Sequence, residues 1–430
     1  MSSVAILLWS PAISGGTNVI FEHALAMQRT GHDITVIMES PLDECDIEWF
    51  PKVSSFNWKT YEEAEGVQFD LVIATWWRTA FSLHRILAKR HVFFVQSIES
   101  YFYPKEEVPL RDLVDATYLF PVNYVTEATW IKEHLYKEYG HEALLVKNGI
   151  NKSYFTDAGI VRENKIPGKM RVLVEGPLGV DFKNVERTIE LCKQSDCDEV
   201  WLLTLSDIDS YPGVDKVFSK VPIDQVGEIY RSCDVLVKLS KVEGMFGPPL
   251  EMYHCGGTSV TYDVTGHDEY IKDGVNGIVI PMDNEAEVVD AINELKADAE
   301  KLFHLKKQAK LTADSWPDWK QSGDEFITAI ETILKDGTEV SRNLLDGQSR
   351  RAWKQYEYSE KLRLQMNDEE GGNTELLNAI ASQTTMIEER DKYIKELEGR
   401  FDESVAAIRS QDNLIEERDR YIKELEGKLG

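Results

Sequence analysis

Residues 242–281 read VEGMFGPPLEMYHCGGTSVTYDVTGHDEYIKDGVNGIVIP. Two carboxylates, Glu243 and Glu251, bracket a turn made by Gly247, Pro248 and Pro249. The apolar run Val235–Leu239 precedes the turn; Leu250–His254 follows it and stops at Gly256 and Gly257. This is the pattern of a strand, a loop and a short helix. Proline suits the first helical turn, which has no N–H to spare. Such a helix start offers free N–H groups and a partial positive charge to an anion. Glu251 is expected within its first turn or so, with Glu243 just ahead. A second glycine turn, at Asp273, Gly274, Asn276 and Gly277, leads into an expected strand at Ile278–Ile280.

Outward from this stretch, strands and helices alternate. Val4–Trp9 is an expected strand, Gly15 and Gly16 the loop after it, Val19–Arg29 a helix ended by Gly31, and Ile34–Met38 the next strand. That order opens a doubly wound domain, without the full GxGxxG dinucleotide fingerprint. Further strands are expected at Leu71–Thr75, Val92–Val95 and Ala143–Val146. After Val95 comes QSIESYFYP, a loop with three aromatic rings. Such rings can stack on sugars or close a core; Trp76, Trp77 and Arg78 end the preceding strand beside them. Polar residues from Thr156 to Lys169, with Pro167 and Gly168, mark a domain boundary. A second strand–helix series then begins at Met170–Glu175 and reaches Val200–Leu205 and Val217–Val221.

At 430 residues two or three domains are expected, and 42% hydrophobic content suffices for their cores. The formal charge of -27 argues against nucleic acid and against a polybasic grip on lipid. The five cysteines are scattered without zinc-ligand spacing, which fits a reducing cytoplasm. Nothing reads as a signal peptide or a membrane span.

The combined string of Glu, seven residues, Glu, then Cys-Gly-Gly, Glu269 and DGxNG is similar to the nucleotide-sugar glycosyltransferases of family 4. The resemblance implies an α/β fold of the GT-B type, two Rossmann-like domains facing a cleft. It also implies retention of anomeric configuration with no metal and no cofactor. On the matching positions it makes Glu243 and Lys183 catalytic. Glu251, Lys183, Gly15, Gly16, Met245, Phe246 and Gly247 bind the donor. Main-chain N–H groups of Met245 to Gly247 would meet sugar or phosphate, and the loop Lys220–Pro222 would pass the nucleotide base. Gln96, Glu99, Tyr101 and Tyr103 are acceptor candidates, in a string that looks like one in bacterial surface-polysaccharide enzymes. Two departures stand out. Gln96 occupies a place where many members have His, and Pro177 one where many have a phosphate-binding Arg.

The implied domains are 1–165, completed by a helix near 315–335 that crosses back, and 166–314. A helical linker at 336–372 and a coiled coil at 373–430 follow. In that tail MIEERDKYIKELEGR (386–400) recurs as LIEERDRYIKELEGK (414–428), an offset of four heptads. Apolar residues stand at every seventh position from Ile380 to Leu429, while the second seam position is largely polar. A parallel homo-oligomer, dimer or trimer, is expected. The expected activity is transfer of a sugar from a nucleotide-diphosphate sugar to a polysaccharide or lipid-linked glycan, in the cytoplasm or at the inner face of the membrane. Partners in a polysaccharide-assembly complex are compatible with it. A non-catalytic scaffold of such a complex and a nucleotide-sugar epimerase are the alternatives. The base, the sugar (dTDP-rhamnose, GDP-mannose or a UDP-sugar) and the linkage are left open by the sequence.

Overall fold

Two parallel sheets organise the computed structural model, which describes residues 1–368. The first has the order β3-β2-β1-β4-β5-β6-β7. Its strands are β1 (Ser3–Leu7), β2 (Asp33–Met38), β3 (Asn57–Thr60), β4 (Gln68–Ala74), β5 (Leu87–Val95), β6 (Asn123–Thr126) and β7 (Leu144–Leu145). The second has the order β10-β9-β8-β11-β12-β13. It is built from β8 (Arg171–Glu175), β9 (Glu199–Thr204), β10 (Lys216–Ser219), β11 (Val235–Lys238), β12 (Thr258–Tyr262) and β13 (Ile278–Ile280). Central strands such as β11 are buried along their whole length. Helices therefore cover both faces, as parallel sheets require. Each order reverses beside its first strand, β1 and β8, and the strand ends there are where ligands of open α/β sheets bind.

The helix Gly15–Arg29 packs on Trp319–Asp336, so the chain crosses back to its first domain. Asp318 caps that returning helix in a capping box with Gln321. Gly149 lies so close to Asp318 and Trp319 that a Cβ on it would sit 2.5 Å from their backbone atoms. This contact fixes the point where residues 148–151 leave the first sheet. The returning helix thus belongs to the first core, as the sequence suggested.

Three details differ from the sequence reading. Gly15 and Gly16 are the first turn of a helix capped by Ser14, which accepts from the Thr17 N–H at 3.0 Å, rather than a loop. Strands β3, β6 and β12 were not foreseen; they have four, four and five residues, too few for a clear alternation. The segment read as a linker at 336–372 contains the helix Arg342–Asp368, whose first half docks on the first domain. Leu345 is buried in the same core as Phe81 and Leu83, and Trp353 packs on Trp77 and Phe81. Residues 1–356 form one compact unit. In the remainder, Arg363 pairs with Glu360 one turn away. The expected coiled coil at 373–430 lies outside the described residues.

Leu345 is 1% exposed and its neighbour Leu344 is 44% exposed. Leu345→Ala should cost roughly 2–5 kcal/mol in denaturant unfolding, and Leu344→Ala less than about 0.5 kcal/mol. Equal effects would mean that this helix is not part of the first core.

Candidate active site

The cleft between the two sheets has a volume of about 660 Å³. Gly15, Gly16, Gln96, Glu99, Lys183, Glu243, Met245, Gly247 and Glu251 all line it. The structure thus brings together most of the residues singled out from the sequence. Phe246 is in the apolar core of the second domain, with its carbonyl accepting from the Tyr270 hydroxyl. Tyr101 and Tyr103 pack at the edge of the first domain's core, away from the cleft lining. Tyr101 meets His134, and Tyr103 accepts from the Trp77 indole at 3.1 Å. Their neighbour Phe102 faces the cleft instead, stacked on Phe182 at 4.7 Å between centroids and on Trp76 at 6.1 Å. Trp77 is fully buried.

The second domain supplies the charged floor. A short turn, Asp181–Lys183, is followed by Asn184 at φ 53, whose side chain donates to the Leu239 carbonyl at 3.1 Å. This fixes Lys183, and its Nζ donates to both Glu243 oxygens at 2.8 and 2.9 Å. Glu243 is 7% exposed and sits between β11 and the helix Gly247–His254. Thr265 braces its backbone, donating to the Glu243 carbonyl at 2.8 Å. Burial alone would raise the Glu243 carboxyl, but Lys183 and Lys238 hold it below its ordinary value. Glu251 occupies the second turn of the same helix rather than the first. Burial and the nearby Glu175 push it up to about 7, against the Tyr230 hydroxyl and Lys238. Leu203, Leu205, Val221, Pro222, Ile223 and Tyr230 line the same cleft and give it an apolar stretch.

The first domain holds the loop after Glu243 in place. Gly244 lies against the Gln96 carbonyl; a Cβ on it would sit 1.9 Å away, so only glycine fits. Its own carbonyl accepts from the Trp130 indole at 2.9 Å. The Met245 N–H, expected to face a ligand, donates to Glu127 at 3.1 Å. Glu127 also accepts from Asn148 at 2.9 Å, and burial pushes it up to about 7. Glu269 reaches across to the Thr129 hydroxyl at 3.1 Å and to Lys147 at 3.0 Å. On the acceptor side Glu99 is buried, accepting from the Trp77 N–H at 2.6 Å, and burial raises its carboxyl well above the ordinary range. Gln96 Oε1 is buried and has no hydrogen-bond partner among the described residues. Asp207, one end of the DxD lettering at 207–209, pairs with Lys220 on the surface.

Glu127, Glu175 and Lys238 were missed. Each carries a charge at or just beyond the carboxyl end of a strand, β6, β8 and β11 in turn. That position was the available signal.

Residues 210–312 match the family described as Glycosyl transferases group 1. Among solved structures, the chain resembles HepE of Anabaena in complex with UDP-glucose (13% identity, TM-score 0.60, covering 77% of this chain and 100% of that one). It also resembles sucrose-phosphate synthase of Thermosynechococcus elongatus (14%, 0.62, 77% and 99%). A third is WaaG, a glycosyltransferase involved in lipopolysaccharide biosynthesis (15%, 0.60, 78% and 100%). A comparison with curated proteins found no match. The fold is GT-B. The group 1 signature lies in the second domain.

A carboxyl raised from 4.5 to about 7 favours its protonated form in the folded state. Its destabilising effect is absent below the ordinary value and grows as pH rises towards and past 7. Glu251→Gln should therefore raise the melting temperature of the ligand-free protein at about pH 8 and leave it nearly unchanged at about pH 4.5. A gain of equal size at both pH values would remove the burial argument.

Proposed function

We propose that the chain is a retaining, metal-independent glycosyltransferase. It moves a sugar from a nucleotide-diphosphate sugar to a growing polysaccharide or lipid-linked glycan. The observation that carries this reading is the Lys183–Glu243 ion pair at 2.8 Å, with Glu251 in the same cleft. As the glycosidic bond breaks, negative charge grows on the leaving phosphate and positive charge on the sugar ring. Lys183 and the helix start at Gly247 stabilise the first without needing a metal. Glu243, kept ionised, offsets the second. Glu251 accepts the ribose hydroxyls, and the apolar stretch at Val221 to Ile223 covers the base. Gly15 and Gly16 face the donor; a Cβ on Gly15 would meet no protein atom within 4 Å, and one on Gly16 would sit 3.1 Å from Gln96 Oε1. Gln96, Trp76 and Phe102 face the acceptor from the first domain.

Two neighbours support the substrate class. HepE is described in complex with UDP and glucose, and WaaG is involved in lipopolysaccharide biosynthesis. Among the described residues no helix is long and apolar enough to cross a membrane. The reaction is placed in the cytoplasm, at or near the inner face of the membrane, where buried thiols such as Cys192, Cys233 and Cys255 stay reduced.

The test is a panel of UDP-, GDP- and dTDP-sugars, followed by sugar release or transfer in excess EDTA. Turnover should persist, and Glu243→Gln should lower kcat by about 10²–10³-fold, as expected for loss of a charge acting in the transition state. Abolition by EDTA with rescue by Mg²⁺ or Mn²⁺ would overturn the metal-free reading. Recovery of an epimerised nucleotide sugar would replace transfer by epimerisation.

The apolar heptads from Ile380 to Leu429 make the chain a homo-oligomer in this reading. Light scattering should show that removing residues 373–430 yields a monomer that still turns over the donor. A truncated chain with the full-length stoichiometry would assign the tail to another partner in polysaccharide assembly.

A further inference from the structure

Strands β8 and β11 pair in register, with Val174 opposite Val237. The next residue on each, Glu175 and Lys238, therefore emerges side by side at the carboxyl ends of both strands, in the cleft. Lys238 is 2% exposed, and its Nζ donates to the Glu175 carboxylate at 2.7 Å and to the Glu175 carbonyl at 3.2 Å. Glu243 lies 3.8 Å away on the other side. Gly176 follows with φ 141, a conformation that favours glycine. A Cβ there would sit 3.8 Å from Lys238 Nζ and 3.9 Å from the Cβ of Lys183. Two lysines thus converge beneath the turn that runs from Gly176 to Lys183.

A buried ion pair is an expensive way to fill this place. Val235, Leu236 and Val237 make the rest of β11 apolar, and an apolar residue at 238 would avoid the desolvation cost. At this spot two cations meet two anions: Lys183 faces Glu243 and Lys238 faces Glu175. Both oxygens of Glu243 are occupied by Lys183, and Glu243 must stay charged for its part in the reaction. Glu175 is half-buried, lines the cleft and pairs with no second cation among the described residues, so it is the carboxylate able to give up its partner. An entering diphosphate brings further negative charge to this spot, and Pro177 supplies none of the opposite sign.

We propose that Lys238 is the second cation of the diphosphate subsite, and that Glu175 is its counter-ion, exchanged for phosphate when the donor binds. This rests on the reading of the cleft as a nucleotide-sugar site. It assigns the donor's grip to two lysines from different strands, with one held in reserve by a carboxylate.

Calorimetric titration with UDP, GDP, dTDP and ADP, and with the matching nucleosides, tests it. The variants are Glu175→Gln and the double variant Lys238→Met/Glu175→Gln, which removes both buried charges together and leaves none unpaired. The double variant should bind the preferred nucleoside diphosphate about 10–100-fold more weakly than the wild type, the loss expected of one charged hydrogen bond. It should bind the nucleoside within about twofold, because base and ribose contacts stay. Glu175→Gln alone leaves Lys238 charged and released from Glu175, so it should bind the nucleoside diphosphate as tightly as the wild type or more so. That variant also decides the matter if the double variant fails to fold. Equal weakening of nucleoside and diphosphate, unchanged diphosphate affinity in the double variant, or loss of diphosphate binding in Glu175→Gln would each overturn the proposal. A wild type that binds none of the four diphosphates would bring down the nucleotide-sugar reading itself, and this inference with it.

Discussion

The site depends on keeping one buried carboxylate charged. Glu243 is 7% exposed, in a place where an isolated anion would neutralise itself by taking a proton. Lys183 and Lys238 prevent that, from 2.8 and 3.8 Å. Only Lys183 is distant in sequence, coming from the turn before the helix Val185–Gln194; Lys238 ends β11, just ahead of Glu243. Losing Lys183 would leave Glu243 with only the more distant Lys238, which is far more costly than losing a surface pair. The strand register that aligns Glu175 with Lys238 is therefore also part of what holds Glu243 ready.

The second constraint comes from the other domain. Residues 127–130 touch the loop and helix of the second domain at three points: Glu127 at Met245, Trp130 at Gly244 and Thr129 at Glu269. Glu269 lies in a short turn, His267–Glu269, and meets the start of the helix Thr129–Tyr139, where a carboxylate is favoured. The Gly244–Met245 loop is thus held by the first domain as well as by its own. Its position, and that of the carboxylate beside it, therefore depends on contacts from both domains.

How much of this was legible in the sequence varies by element. The carboxylates at 243 and 251, with Pro248 and Pro249 between them, announced a helix start beside a strand end. Apolar runs announced the long central strands, and Trp316 and Trp319 marked the returning helix. What escaped has physical reasons. Four-residue strands such as β3 carry too little alternation to be read. The helix at Arg342 looks like a charged linker, since only a few side chains, Leu345 and Trp353 among them, carry its docking. Lys238 and Glu175 sit inside apolar runs, where a charged residue reads as an exception until the partner strand is known. Within one aromatic string, Phe102 faced the cleft and Tyr101 and Tyr103 did not. That choice is made by the turn Glu99–Phe102 and by Trp77, which is distant in sequence.

Acids outnumber cations in the cleft, and this bears on how an anionic donor can enter at all. Glu99, Glu127, Glu175, Glu243 and Glu251 line it with Lys183 and Lys238. Two of the five, Glu127 and Glu251, are pushed up to about 7 by burial. At neutral pH each is therefore divided between its charged and neutral forms. Negative charge brought nearby disfavours the charged form further. Glu243 has its own ammonium partners, which hold it below its ordinary value. The arrangement separates these carboxyls by environment: cations keep Glu243 charged, while burial pushes Glu127 and Glu251 up.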